Sequence, residues 1–325
     1  MFYPVAPLPD TNSRQVAQTI RMPSTALLTI DSEDRHTNYE DARFSNVSPY
    51  NFTISKTESL MSGFITRIGV SEVVFPWAVP NINPKTCTIN YTYTIDGTPT
   101  NGTLTLAQGF YNPGQLATAI QQGFPGPLGF TMTYGTGNKP AFFYSVGDGN
   151  TIAFQPMVYN SPAFGGTPAY PYPDTTKQLF DLLGFADGNT EQVEAGSGGY
   201  TLCQPIRYVD FVCNQLTNSQ AQKDQTSQTV ARDMLCRLYL ATAPGQTSTI
   251  GPNVTGFCPP GCAPTILYAN FNTPKQIQWI PNQNIPGFLQ FQVYDDTGQL
   301  LDGSFPAVNL GRYLDWSMTM LVSES

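Results

Sequence analysis

The densest cluster of charged side chains lies at residues 31–35, where Asp31, Glu33, Asp34 and Arg35 follow an apolar run. Two carboxylates at a fixed separation can act as acid and base, as in glycoside hydrolysis. Carboxylate oxygens are also ligands that Ca²⁺ prefers. We favour a third interpretation, a turn at the end of a strand in which Arg35 pairs locally or across a contact between subunits. The four charged residues are therefore candidate subunit contacts.

The rest of the sequence gives little support for nucleophilic catalysis. His36 is the only histidine, so a Ser–His–acid or Cys–His arrangement would have to use it. The sequence contains no Gly-x-Ser-x-Gly, phosphate-loop, GxGxxG or H-E-x-x-H motif. Cys258 and Cys262 flank a Pro-Pro-Gly turn, without the second close pair or nearby histidine that a zinc site needs. We predict no catalytic residue, no metal and no cofactor, and hence no enzyme.

Two tyrosines form a candidate outward surface. Tyr170 and Tyr172 belong to a Tyr-Pro-Tyr-Pro run. Exposed aromatic rings can stack on sugars or contact a partner protein. The alternative is a covering loop that packs over a small core beneath it.

The composition limits the class of protein further. Charged residues make up 12% of the 325 residues and the net charge is −8, whereas about 25% of an average chain is charged. A negative chain without a basic run is not expected to bind nucleic acid directly. No stretch of 18 apolar residues occurs, so no membrane-spanning helix is predicted. A polar but sparsely charged surface favours packing against neighbours, because hydroxyls and amides cost less to bury than ions do.

Segments that alternate apolar and polar residues predict the scaffold. This alternation is typical of strands with one buried face, and 28 Gly and 28 Pro supply turns between them. The predicted strands are residues 25–30, 48–55, 63–75, 207–213, 235–240, 275–280, 288–294 and 316–322. Eight strands are the number in a jelly roll, which folds two Greek keys into two facing sheets. The predicted fold class is therefore mainly β, an eight-stranded single jelly-roll sandwich.

Residues 86–199 interrupt the plain strand pattern. They begin with a hairpin, continue with a helix that starts at Asn112, and add three further strands and a second short helix. We predict a small α+β insertion module between the third and fourth strands, with residues 25–85 and 200–325 forming the jelly roll. A long insertion is tolerated there because the entropy of loop closure rises only slowly with length.

The N-terminal residues 1–24 are Pro-rich and show no regular period. We predict an extended arm, which is either a disordered tail or a segment that orders on a neighbouring subunit. Its candidate subunit contacts are Phe2, Tyr3, Val5, Arg14 and Arg21.

Four sets of segments carry a likeness to one protein family. They are LLTIDSEDR (27–35) with YNFTI (50–54), VVFPWAVPNIN (73–83), GFYNPGQL (109–116) with LLGF (182–185), and FQVYDDTGQL (291–300). The first two sets resemble segments of penton-type minor capsid proteins of icosahedral double-stranded DNA viruses, a group that includes large eukaryotic DNA viruses, virophages and polinton-like viruses. The third resembles a helix-bearing insert in many of these proteins, and the fourth resembles the strand and turn near the end of capsid jelly rolls.

The resemblance implies a single jelly roll with an outward-facing insert, located at or near the five-fold vertices of a virion assembled inside the host cell. The implied partners are further copies of the chain, as a pentamer, and the major capsid protein. Two alternatives remain open. One is a minor cement protein between or beneath capsomers, and the other is a carbohydrate- or receptor-binding jelly-roll module.

Overall fold

The computed structural model describes residues 25–38, 48–55, 58, 60, 65–77, 79–135, 140–160, 169–172, 177–201, 203–217, 234–240, 265–271, 276–278, 284–301 and 315–324. These residues form fifteen β-strands and three α-helices, so the fold is mainly β as predicted. The strands are β1 (Thr25–Asp31), β2 (Asn51–Ser55), β3 (Ile65–Trp77), β4 (Thr88–Ile95), β5 (Thr98–Thr105), β6 (Thr131–Gly135), β7 (Ala141–Ser145), β8 (Thr151–Gln155), β9 (Ala195–Ser197), β10 (Tyr208–Val212), β11 (Met234–Tyr239), β12 (Thr265–Asn270), β13 (Gln276–Gln278), β14 (Phe288–Asp295) and β15 (Ser317–Glu324). The helices are α1 (Pro113–Gln122), α2 (Leu179–Leu182) and α3 (Asn214–Thr217).

Sheet A has the strand order β1-β15-β3-β12, and β13 also pairs with β3. All of its pairings are antiparallel. β12 lies beside residues 72–77 of β3, whereas β13 lies beside residues 67–69 of the same strand. The last described strand, β15, therefore lies between β1 and β3, which are the first and third strands of the chain.

Sheet B has the order β11-β10-β14-β2 and is also antiparallel throughout. Along the chain, β1, β2 and β3 alternate between the two sheets, as do β13, β14 and β15. This interleaving is consistent with a jelly roll. Within the described residues the two sheets hold nine strands, because β12 and β13 are separate segments along β3.

The two sheets share one core, and we call them together the sandwich. Trp316, the residue directly before β15, is 1% exposed, and its ring centroid lies 5.0 Å from that of Phe211 and 5.6 Å from that of Phe52, both in sheet B. Phe75 of β3 meets Phe211 edge-on at 5.4 Å. Alternate residues along β14 and β15 are buried because the side chains of a strand point to opposite faces. The apolar members of the sequence pattern therefore fill the space between the sheets.

Residues 80–204, the middle region, connect β3 to β10. They form two three-stranded antiparallel sheets, β5-β4-β8 and β6-β7-β9, with α1 and α2. A second core lies among them and includes Leu116, Phe154 and Leu179. Residues up to Val79 and from Ile206 onward belong to the core of the sandwich. The middle region thus has its own hydrophobic core, and along the chain it lies between β3 and β10 of the sandwich.

Local signals in the sequence determine the start of α1. Asn112 is the N-cap, and its side chain accepts a hydrogen bond from the Gln115 backbone at 2.8 Å. The Gln115 side chain in turn accepts from the Asn112 backbone N–H at 3.0 Å. Pro113 occupies the first turn, where its missing N–H costs nothing. This capping box begins the helix at the predicted residue.

Candidate functional site

The acidic turn is anchored inside the protomer. Residues 32–38 form a 3-10 helix directly after β1. Asp31 accepts a hydrogen bond from the Glu33 backbone N–H at 2.9 Å. Arg35 is only 6% exposed, donates to the Ser32 carbonyl at 2.5 Å and forms an ion pair with Asp315. The pairing is therefore local to the fold, which is one of the two arrangements predicted for Arg35, and its burial leaves little of the side chain for a subunit contact.

Ser32 completes this anchor. Its hydroxyl donates to Asp315 at 2.8 Å and accepts from the Trp316 backbone N–H at 2.9 Å. The turn after β1 is thereby tied to the residues that start β15. Glu33 is exposed, so Glu33, Asp31 and the partly exposed Asp34 stay predicted contacts.

The two tyrosines that were predicted to form an outward surface differ in exposure. Tyr170 is 3% exposed, and its hydroxyl donates to the Lys85 carbonyl at 3.0 Å. It packs against Met157, with the Tyr172 ring edge-on at 5.2 Å. The prediction of Tyr170 as an outward residue is therefore wrong, because its ring fills a small core and its hydroxyl needs a buried acceptor. Tyr172 is partly exposed.

Phe2, Tyr3, Val5, Arg14 and Arg21 lie outside the described residues, as do Cys258 and Cys262 and the side chain of His36. Within the described part of the chain, no group of three or more His, Cys, Asp or Glu side chains could hold a metal ion. None of the described helices has the length and apolar character needed to cross a membrane.

The outer face of sheet A carries few charged side chains. It is formed by Thr25, Leu27, Thr29, Asp31, Arg67, Glu72, Val74, Ile266, Tyr268, Asn270, Ser317, Thr319, Leu321 and Ser323. Large apolar side chains are exposed here, with Leu27 at 66%, Ile266 at 68% and Tyr268 at 61%. Leu27 lies opposite Leu321, and Tyr268 lies opposite Val74. Apolar side chains on a sheet face that is otherwise rich in hydroxyls are typical of a contact surface.

On the side of sheet B that faces away from the core, Arg237 and Asp210 form an ion pair that is largely buried. Arg237 of β11 donates to both carboxylate oxygens of Asp210 on β10, at 2.7 and 2.9 Å. The Asp210 side chain is 1% exposed, and the guanidinium lies 3.7 Å above the Tyr208 ring centroid. These hydrogen bonds raise the pKa of Arg237 above its usual value. Two parallel bonds and a stacked ring hold β11 rigidly to β10.

A second charged group connects the sandwich to the middle region, along a contact that we call the seam. The seam consists of residues 83–86, 170–172 and 177 on one side and residues 205–207 and 295–299 on the other. Lys177 donates to Asp296 at 2.8 Å, and Arg207 donates to the same carboxylate oxygen at 2.9 Å. The Asp296 side chain is 0% exposed. Two cations share one buried carboxylate, so the seam is held by charge as well as by packing.

A small cleft, partly open to solvent, lies along the seam. Lys85 and Asn83 line it from the middle region, and Asp295 and Thr297 line it from the sandwich. Lys85 is 6% exposed and its amine donates to the side-chain carbonyl of Gln299. Burial lowers the pKa of Lys85, and the Asp295 charge partly opposes this shift. No sequence motif pointed to this site, because its two sides come from distant segments.

Three buried thiols, those of Cys87, Cys203 and Cys213, are poor nucleophiles. Burial raises the pKa of Cys213 to about 12. Burial also raises the pKa values of Cys87 and Cys203. Since the thiolate is the reactive form, these cysteines behave as small core residues.

Comparison with known proteins finds similarity to solved structures but not to known sequences. No protein-family model and no curated protein matches the chain. The structure is similar to the crystal structure of the selenomethionine-labelled mavirus penton protein, with a TM-score of 0.46 and 11% sequence identity. The match covers 94% of this chain and 100% of that chain. That protein is a penton protein, the class that the sequence resemblance names.

Proposed function

We propose that the chain is a structural capsid subunit built as a single jelly roll, residues 25–85 and 200–325, with an insertion at residues 86–199. The observation that carries this proposal is the order of the strands, β1-β15-β3-β12 in one sheet and β11-β10-β14-β2 in the other. Two facing antiparallel sheets with strands interleaved in this way are the arrangement of two Greek keys. Such a sandwich forms a rigid body that can be packed beside its own copies.

The outer face of sheet A supports assembly as the function. Asp31, Arg67 and Glu72 are the charged members of that face among the residues given above, so most of the surface that another subunit would cover carries no charge to desolvate. Ile266 and Tyr268 would then provide the buried apolar centre of the contact. We assign this face to a second copy of the chain.

The sequence resemblance favours the penton position at the five-fold vertices. A closed ring of five copies repeats one heterologous contact, in which two different surfaces of the subunit meet. The N-terminal arm and its residues Phe2, Tyr3 and Val5 are proposed to bind a neighbouring subunit. The major capsid protein is the proposed second partner, in the capsid of an icosahedral double-stranded DNA virus.

Analytical ultracentrifugation of the purified chain tests the proposal. We expect a pentamer, and we expect Tyr268→Asp to shift the protein towards monomer because the charge would be buried at the contact. Tyr200→Asp is the matched control, since Tyr200 is 70% exposed in the middle region and should leave the pentamer intact.

Three results would contradict this assignment. A strictly monomeric chain that is absent from virus particles would exclude a capsid subunit. More than five copies of the chain per vertex of the virus particle would favour a cement protein. Specific binding on a glycan array by a monomeric chain would favour a carbohydrate-binding module.

A further inference from the structure

At the seam, the buried amine of Lys85 contacts the side-chain carboxamide of Gln299. Lys85 and Gln299 are separated by 214 residues in the chain, yet the Lys85 amine donates a hydrogen bond to Gln299 Oε1. The electrophilic carbon Cδ is one carbonyl bond, about 1.23 Å, from that oxygen. The reacting atoms are therefore already held close together, and such positioning can replace much of the entropy cost of a reaction between free molecules.

Both side chains project from rigid turns. The Lys85 backbone N–H donates to Asn83 Oδ1 at 2.9 Å, and the Lys85 carbonyl accepts from the buried hydroxyl of Tyr170. The Gln299 backbone N–H donates to Asp295 Oδ1 at 2.8 Å, and the Gln299 carbonyl accepts from the Asp295 N–H at the same distance. Neither backbone has to move for the amine and the carboxamide to meet.

We propose that Lys85 and Gln299 form an intramolecular isopeptide bond across the seam. The amine nitrogen attacks Cδ of Gln299, so that a new C–N bond forms as the bond from Cδ to Nε2 breaks. One proton passes from the amine to the departing nitrogen, which leaves as ammonia. No atom is oxidised or reduced, and no further reactant is needed.

The surroundings supply the groups that this reaction requires. Removal from water favours the neutral amine, the nucleophilic form of lysine. The Asp295 carboxylate lines the same cleft and can accept the amine proton and return it to the leaving nitrogen. The bond would join the turn after β14 to the turn before β4 and would fasten the middle region to the sandwich.

Lys177 provides a control within the same seam. It donates to the carboxylate of Asp296 and to the Pro205 carbonyl. An ionised carboxylate is a poor electrophile, so Lys177 is not expected to form an amide there. The geometry therefore selects one of the two lysines of the seam.

Mass spectrometry of the full-length folded chain tests the proposal. We expect a branched peptide that joins Lys85 to Gln299 and a mass lower by one ammonia molecule than the two linear peptides together. Lys85→Arg and Gln299→Leu should each abolish the branched peptide, whereas Lys177→Arg should retain it. Only linear, unmodified peptides from the unaltered chain would overturn the proposal, and this result does not depend on whether any variant folds.

Asp295→Asn tests the carboxylate separately. An asparagine oxygen can still accept the three hydrogen bonds that Asp295 Oδ1 receives from Thr297 and Gln299. We expect a folded protein with little branched peptide. A full yield of branched peptide in this variant would overturn the role of Asp295 as the proton carrier.

Discussion

The contacts that stabilise the sandwich join residues far apart in the chain, whereas those that stabilise the middle region join residues closer together. In the sandwich, Trp316 donates its indole N–H to the Pro49 carbonyl at 2.6 Å across 267 residues. In the middle region, β4 and β5 form a hairpin, and the buried bond from Asn189 to Tyr144 spans 45 residues. Local contacts close small loops and form quickly, whereas distant pairings form slowly. We therefore expect the middle region to fold before the sandwich closes around its two ends.

The two regions also bury different polar groups. The sandwich relies on the ion pairs Arg35–Asp315 and Asp210–Arg237. The middle region relies on neutral amides such as Asn112 and Asn189, which cap helices or bind backbone groups. Loss of one member of a buried ion pair leaves an uncompensated charge, which costs more than loss of a neutral hydrogen bond. The sandwich should therefore be the more sensitive region to single polar substitutions.

The largest expected effect is that of Trp316→Ala. Trp316 contacts aromatic rings of both β2 and β10, and its removal leaves a cavity between the sheets. We expect the free energy of unfolding to fall by about 3–5 kcal/mol. Urea denaturation, followed by circular dichroism, measures this loss.

Phe154→Ala is the matched core substitution in the middle region. Phe154 is 0% exposed and its ring lies 4.8 Å from that of Phe185. Hydrogen exchange should show lost protection in β7 and β8 for Phe154→Ala and in β1 and β15 for Trp316→Ala. Identical exchange patterns for the two variants would contradict the separation of the regions.

Asp210→Ala should have the next largest effect. It leaves the Arg237 guanidinium beneath the surface of sheet B without its carboxylate, at a cost of about 3 kcal/mol. Replacement of both residues, Asp210→Leu with Arg237→Met, should recover most of the loss because no charge then stays buried. A double variant that is no more stable than Asp210→Ala would show that the ion pair contributes more than charge compensation.

The sequence was sufficient for the parts of the fold that depend on local pattern. Alternation located β1, β14 and β15, and the Asn112-Pro113 pair located the start of α1. The candidate site was less predictable. Arg35 was identified as a charged residue, but its partner Asp315 lies 280 residues away, and only the pairing of β1 with β15 brings them together.

The contacts of the seam were even less predictable from the sequence. Lys85 and Gln299 are ordinary residues in their own segments, and their meeting depends on how the middle region packs on the sandwich. Tyr170 was expected outside because aromatic rings on an outward loop could stack on sugars or contact a partner, yet the Lys85 carbonyl offers its hydroxyl a buried acceptor. Local sequence describes a turn, whereas burial of that turn is decided by a second, distant segment.

The smallest expected effect is that of Asn112→Ala, which removes the N-cap of α1. The loss should be about 1 kcal/mol, since the Gln115 backbone N–H loses its acceptor but lies near solvent. Hydrogen exchange should become faster in α1 and stay unchanged in β15. Thr118→Ala, which removes only an exposed hydrogen bond to the Gly114 carbonyl, is the control and should change stability by less than about 0.5 kcal/mol. Equal loss of protection in α1 and β15 would mean that the two regions open as one cooperative unit. The local cap of α1 would then be coupled to the pairing of β15 with β1, the last and first strands among the described residues.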